Sequence, residues 1–370
     1  MITQKEIQKI ISEYDLKDIH IGTLGGHSAL DICNGAKKYG LKTVVVCQKG
    51  REKTYSDYYK NLVDELILVD KFKDITKKEV QEKLRKLNTI FIHSRYFWVY
   101  CNFDEVENDF KVPIFGSRSL LRAEERTGKK NQYHLLGKAG IKYPKQFSNP
   151  EDIDRLVIVK ASEAERAWER AFFFASSFKE YAEKAEGLVK QKIITKDSLK
   201  NAIIEEFVLG VQVNLNFFYS PLNGKIELIG TDTRRQTNLD GLLRLPATEQ
   251  IEALKKIRPQ YVESGHIACT MKESLLEKAF DIGERFVSAA EKEFAPGIIG
   301  PFALQAAITP GPPKEEFIVF DLSARIPGSP GIKATPYTEY LYGQPLSMGE
   351  RIAMEIKNAA EQNRLIDVLS

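Results

Sequence analysis

The sequence predicts a two-part α/β protein, a doubly wound parallel sheet followed by an α+β region built on hairpins. Three observations carry that expectation. Up to about residue 115, β-branched runs alternate with amphipathic helical stretches, the pattern of βαβ units. The stretch "VIVKASEAERAWERAFFFASS" (Val157–Ser177) then reads as two apolar strands around a charged turn, the first ending in a lysine. Further on, "VNLNFFYS" and "KIELIGTDTR" are β-like runs separated by a Pro221–Gly224 turn, as in an antiparallel hairpin.

In chain order, "MITQKEIQKIISEY" puts Ile7, Ile10, Ile11 and Tyr14 on one helical face, so it is an amphipathic helix and not a signal peptide. Strands follow at Ile19–Leu24, Thr43–Cys47, Leu66–Val69 and Thr89–His93, with helices at His27–Tyr39 and about Thr76–Leu87. Parallel sheets bind ligands beyond the carboxyl ends of their strands. Three of those ends carry polar, turn-capable residues: Gly25-Gly26-His27-Ser28, Gln48-Lys49-Gly50-Arg51 and His93-Ser94-Arg95. Parallel topology predicts that they meet at one edge. The G-x-G-x-x-G fingerprint is missing, which disfavours a nicotinamide-dependent dehydrogenase.

Arg118–Gly140 reads as helix with Gly140 as its stop. Beyond Pro150 come the lysine hairpin, a helix over about Phe178–Val189 and the strand "NAIIEEFVLG" (Asn201–Gly210). The last part gives the strands Phe302–Ile308 and Phe317–Arg325 and a helix from about Ser347. Asp321 sits between Phe320 and Leu322, and Gln305 occupies a similar apolar frame on the opposing strand. Buried acids and amides need partners or a cation. Two readings stay open: a hydrogen-bonded structural pair, or two oxygen ligands of Mg²⁺, which keeps waters and phosphates as its other ligands.

Composition narrows the function classes. With 54 basic against 51 acidic residues, the net charge of +3 gives no nucleic-acid-binding surface. No apolar run approaches the roughly 20 residues that span a bilayer. Cys33, Cys47, Cys101 and Cys269 are not at metal-ligand spacing and read as reduced thiols, which predicts a cytoplasmic protein.

Together the segments "TLGGHSAL", "VCQKGR", "VENDFKVPIFGSRSLLR", "IEEFVLG", "NLDGLLRLPA", "VFDLSAR" and "YGQPLSMGERIAMEIK" resemble one family over almost the whole chain. The order of elements is similar to the ATP-grasp superfamily, and more closely to the archaeal PurP family of 5-formaminoimidazole-4-carboxamide ribonucleotide synthetases. That resemblance implies a parallel α/β domain at 1–117 before an ATP-grasp region at 118–370, with nucleotide binding in 118–210 and metal and substrate binding in 211–370. It implies ligation of formate to the amine of AICAR at the expense of ATP, giving FAICAR in IMP biosynthesis. Mg²⁺, or Mn²⁺ in its place, would be the metal, and a homo-oligomer the assembly.

The same resemblance assigns residues. Lys160 would approach the nucleotide phosphates, and Glu205, Glu206, Phe207 and Val208 match the hinge strand beside adenine. Gln236 stands where the family has a polar nucleotide contact. Gln305 and Asp321 match the metal ligands, with Asp321 replacing the more usual glutamate. His27 and Ser94 match ribonucleotide contacts, as does His266, where the family pattern has asparagine. Lys49 and Arg51 are added from the strand-end reading as monophosphate neighbours.

Two stretches depart from the family pattern. The turn after Lys160 lacks glycine, so Arg170, and more weakly Arg166, is expected to supply phosphate donors as a side chain. After Arg325 a glycine- and asparagine-rich loop is replaced by the proline-rich "IPGSPGIKATPY". These departures keep two alternatives in view: an ATP-grasp ligase for another carboxylate or amine, and a nucleotide-binding homologue without turnover.

Overall fold

A computed structural model of the chain describes residues 1–370 apart from 125–127, 163–169, 236–238, 258–262 and 312, and apart from the side chains of 162, 170 and 239. Apolar alternation sets the strands, and glycine, proline and capping residues end the elements between them. The first sheet contains β1 (His20–Leu24), β2 (Lys42–Gln48), β3 (Glu65–Val69), β4 (Thr89–Ile92) and β5 (Ile114–Phe115). All its pairings are parallel and its order is β3-β2-β1-β4-β5. Strands buried on both faces explain their near-continuous Val, Ile and Phe content.

The second sheet is β6 (Gln146–Phe147), β7 (Val157–Ser162), β8 (Arg170–Ala175) and β9 (Ile203–Glu206), in the order β6-β9-β7-β8. The lysine hairpin is thus real, with Lys160 opposite Phe172 in β8 and Ile203 in β9. The third sheet contains β10 (Val211–Ser220), β11 (Lys225–Arg235), β12 (Gly265–Ala268), β13 (Gly300–Thr309) and β14 (Glu316–Ser323). It is antiparallel, in the order β12-β11-β10-β13-β14.

Two expected elements change. The helix expected over Arg118–Gly140 is instead a 3₁₀ turn at Ser119–Glu124 and a helix at Gln132–Lys138. Asn131 interrupts it by capping, its side chain accepting the His134 N–H. The strand expected to Gly210 ends at Glu206. The carboxyl-terminal helix, Met348–Glu361, starts on a capping box formed by Ser347 and Glu350. It packs on the helix Ala29–Lys38 of the first sheet. Beyond it, Ser370 exchanges two backbone hydrogen bonds with Ile114 at 2.9 and 3.0 Å. The end of the chain therefore closes the edge of the parallel sheet, a non-local pairing that no local pattern encodes. Among the described residues no helix is long and apolar enough to cross a membrane.

Candidate functional site

The strand order of the first sheet decides which loops can share a ligand. Connections leave β1 in opposite directions at β2 and β4, so the crevice opens between β1 and β4. His27 follows β1, and Ser94 and Arg95 follow β4. β2 lies on the other side of β1. Lys49 there is exposed and paired with Asp70 at 2.7 Å, and the Arg51 guanidinium lies 5.7 Å from the Phe72 ring centre. Neither lines the cavity that His27 lines.

The other wall is the third sheet. Its β10, β13 and β14 alternate apart from irregularities at Asn216/Phe217 and Gln305/Ala306, and Val213, Leu215, Phe217, Phe302, Leu304 and Leu322 enter the apolar core. The opposite face is polar. Register places Asp232 beside Asn214, Asn214 beside Gln305, and Gln305 beside Asp321, a polar row across four strands. Arg234 pairs with His266 one position further along. The resulting cavity, with an empty volume of about 340 Å³, joins His27 and Arg95 to Asn214, Asn216, Arg234, Glu263, His266, Gln305 and Arg325.

The electrostatics are divided. Asp232 accepts from Asn214 Nδ2 at 2.8 Å and Asn216 Nδ2 at 2.6 Å, and it pairs closely with His266 Nδ1. Burial opposes the imidazolium, but the bonds to Asp232 and Glu263 raise His266 to about 9. Glu263 is held down to about 2 by His266, against burial and with help from Arg234 and Arg95. His27 goes the other way. Burial first, then Arg325 and Arg95, push it down to about 3, so it is a neutral imidazole. Two histidines of one cavity thus differ in charge at neutral pH.

His27 is held by the proline-rich loop. Ser28 Oγ lies 2.9 Å from His27 Nδ1 and donates to the Pro327 carbonyl at 3.2 Å. A Cβ on Gly328 would stand 2.5 Å from His27 Nε2, so only glycine permits this approach. The proline-rich loop therefore packs on His27 and connects the two sheets. Ser94 is fully buried and caps the helix Arg95–Tyr100, accepting the Tyr96 N–H at 3.3 Å. It fixes where Arg95 points from.

The second sheet carries the lysine site. Lys160, 9% exposed, pairs with the buried carboxylate of Glu205, whose other oxygen accepts from Tyr133 Oη at 2.5 Å. Glu205 is thus engaged with the lysine and Tyr133. Glu206 meets Arg155 at 3.3 Å. The N–H groups of Glu206 and Phe207 donate to the carbonyls of Lys145 and Leu156. Phe207 and Val208 are half-buried, with Phe207 edge-on to Phe174 at 4.9 Å. Gln236, Arg166 and the turn around it lie outside the described residues, as does the side chain of Arg170.

Gln305 and Asp321 meet as the sequence anticipated, facing each other across β13 and β14. Two oxygen donors on one face, beside the half-open cavity, fit a cation that takes its remaining ligands from phosphate and water. Among the described residues no group of three His, Cys, Asp or Glu forms a full protein cage. Arg95 lay in a strand end that the sequence singled out, whereas sequence reasoning missed Asn214, Asn216, Asp232, Arg234, Glu263 and Arg325. The N-L-N of β10 and T-D-T-R of β11 carried a usable hint, since alternation places Asn214 with Asn216, and Asp232 with Arg234, on one face of their strands.

Comparison with known proteins places this geometry. A family model described as "Domain of unknown function (DUF1297)" matches residues 180–370, and one described as "Protein of unknown function (DUF1246)" matches residues 21–147. The 5-formaminoimidazole-4-carboxamide-1-(beta)-D-ribofuranosyl 5'-monophosphate synthetase of Methanopyrus kandleri is 43% identical over 370 residues, covering 100% of both chains. The crystal structure of an IMP biosynthesis protein PurP from Thermococcus kodakaraensis superposes with a TM-score of 0.72 at 28% identity, covering 95% of this chain and 100% of that one. An ADP complex of N5-carboxyaminoimidazole synthetase from Staphylococcus aureus shares the fold alone, with a TM-score of 0.56 at 13% identity over 91% of this chain and 77% of that one. The architecture is that of the ATP-grasp ligases, preceded by a parallel α/β sheet.

Proposed function

The chain belongs to the 5-formaminoimidazole-4-carboxamide ribonucleotide synthetase family, and from that premise we propose that it is an ATP-dependent ligase joining formate to the 5-amino group of AICAR. The observation that carries this reading is the end-to-end match at 43% identity to a relative so named. The cavity geometry supports it: one wall comes from the parallel sheet and one from the ATP-grasp sheet, as a ligase with two substrates needs.

The chemistry explains the residues. Formate is inert toward an amine because its leaving group would be oxide. Transfer of the γ-phosphoryl group of ATP to a formate oxygen gives formyl phosphate and ADP. The amine then forms a C–N bond as the C–O bond to phosphate breaks, releasing inorganic phosphate and a proton. Catalysis of the first step is positioning and charge neutralisation. Lys160 offers three donors, so it can hold Glu205 and still turn toward a phosphate oxygen. Gln305 and Asp321 would hold Mg²⁺, which supplies charge neutralisation between phosphates. Neutral His27 can accept a hydrogen bond from the amine or ribose without repelling a cation. Arg170 is the side chain we assign to the outer phosphates, and Gln236 a nucleotide contact.

A homo-oligomer belongs to this reading, and Leu243, Ile251, Leu254 and Ile257 are exposed side chains that an interface could cover. The reaction is tested by incubating the protein with ATP, Mg²⁺, formate and AICAR and separating the products. ADP and FAICAR should appear in equal amounts, and only when all components are present. ADP released without formate, or only with a different acid or amine, would replace this reading by that of a ligase with another substrate.

A further inference from the structure

Inside the cavity one carboxylate lies among three cations. Glu263 approaches Arg95 Nη1 at 3.7 Å, Arg234 Nη1 at 3.7 Å and His266 Nε2 at 3.8 Å. Charge-assisted N–H···O bonds close at about 2.7–2.9 Å, so the carboxylate sits between the three without engaging any of them tightly. Its side chain is 42% exposed, so solvent can receive it at little cost. The cations come from separate elements: Arg95 follows β4 of the parallel sheet, whereas Arg234 and His266 are neighbours on β11 and β12. Arg234 Nε is also buried with no hydrogen-bond partner among the described residues, and so is Arg325 Nε. Buried donors without acceptors are costly. A group with more acceptor oxygens and more charge than a carboxylate would satisfy this cage better, and a phosphate monoester has both.

We propose that Arg95, Arg234 and His266 form the seat of the substrate's phosphate monoester, and that the Glu263 carboxylate occupies this seat until the substrate displaces it. The inference rests on the reading of the substrate as a ribonucleotide, and it moves the phosphate from the rim at Lys49 and Arg51 to the cavity between the sheets. Glu263 then acts as an internal stand-in. It keeps the cations from repelling one another in the empty enzyme, and it sets a threshold that a neutral nucleoside cannot cross.

Ribose 5-phosphate isolates the seat, because it carries the phosphate monoester without the amine. Its affinity for the full chain is measured by calorimetry, with ribose as the control. Ribose 5-phosphate should bind and ribose should not. Arg95→Ala and Arg234→Ala should each weaken the sugar phosphate about tenfold or more, the loss of one charge-assisted hydrogen bond. Glu263→Gln should strengthen it several-fold, because the competing charge is gone while the side-chain volume stays. No binding to the unaltered protein, unchanged affinity in both arginine variants, or weaker binding in Glu263→Gln would each overturn the seat. These results are separable from the reaction. Failure to form FAICAR would remove the ligase reading and leave a phosphate seat standing, whereas indifference of ribose 5-phosphate to the three cations would remove the seat and leave the reaction untouched.

Discussion

Arg351 and Arg234 are both drawn into carboxylate-bearing surroundings, and only the first is satisfied. Arg351 gives Nε and Nη2 to Glu227 at 2.7 and 2.9 Å, and Nη1 to Glu355 at 2.8 Å. Its guanidinium also lies 4.0 Å from the Phe218 ring centre. Arg234 has its nearest carboxylate at 3.7 Å and an unpartnered Nε, and Arg325 repeats the pattern with Glu124 at 3.6 Å. One guanidinium is part of the fold, pinning the last helix to β11. The others are held open where two sheets meet. The difference teaches that unpaired buried donors point to a binding site where they line a cavity, as Arg234 and Arg325 do, since Arg118 Nε is equally unpartnered inside the fold.

The largest expected effect comes from the closed cluster. Arg351→Met leaves Glu227 and Glu355 buried without their cation, and breaking such a pair costs about 3–5 kcal/mol. Denaturant unfolding should show that loss, while Arg234→Ala shifts the same curve by less than about 1 kcal/mol. Equal losses in the two variants would erase the distinction between them.

Lys160 stands between the two kinds. It is paired with Glu205, and the proposed reaction would place its charge at a phosphate. Lys160→Met should slow turnover about 100-fold or more and also destabilise the chain, because Glu205 is left buried. Adding Glu205→Gln should recover the stability and not the turnover. A double variant that regains activity would make the pair structural only.

The fold was readable wherever the pattern was local. Strand and helix alternation located β1 to β4, the "VIVK" hairpin formed as its apolar runs required, and His27, Gln305 and Asp321 fell where strand ends and buried polar residues pointed. Order in space was not readable in this way. Lys49 and Arg51 sit at a strand end like His27, but β2 pairs on the side of β1 away from β4. Arg234 and His266 are neighbours only because β12 returns to β11 after an excursion of about thirty residues, and Ser370 meets Ile114 across the whole chain. Such pairings depend on sheet topology, which a periodic pattern does not contain.

A smaller effect follows from His266. Its folded value near 9 lies above the ordinary 6.5, so its charge is present at neutral pH and lost as pH rises through 9. Affinity for a phosphate monoester should therefore decline several-fold between about pH 8 and 10, with Asp232, Glu263 and Arg234 keeping their charges. The stability that His266 contributes follows the same sign, complete below 6.5 and lost through 9. His266→Gln should flatten the binding profile over that range, and a profile unchanged by the substitution would place the titration elsewhere.

The most direct test of the site is a structure of the protein with AICAR bound. The account predicts the ribonucleotide in the crevice between β1 and β4, its base or ribose against His27, its phosphate within hydrogen-bonding distance of Arg95, Arg234 and His266, and the Glu263 carboxylate moved out to solvent. A ligand bound at the Lys49 and Arg51 rim, or in the cavity with Glu263 still between the three cations, would contradict it.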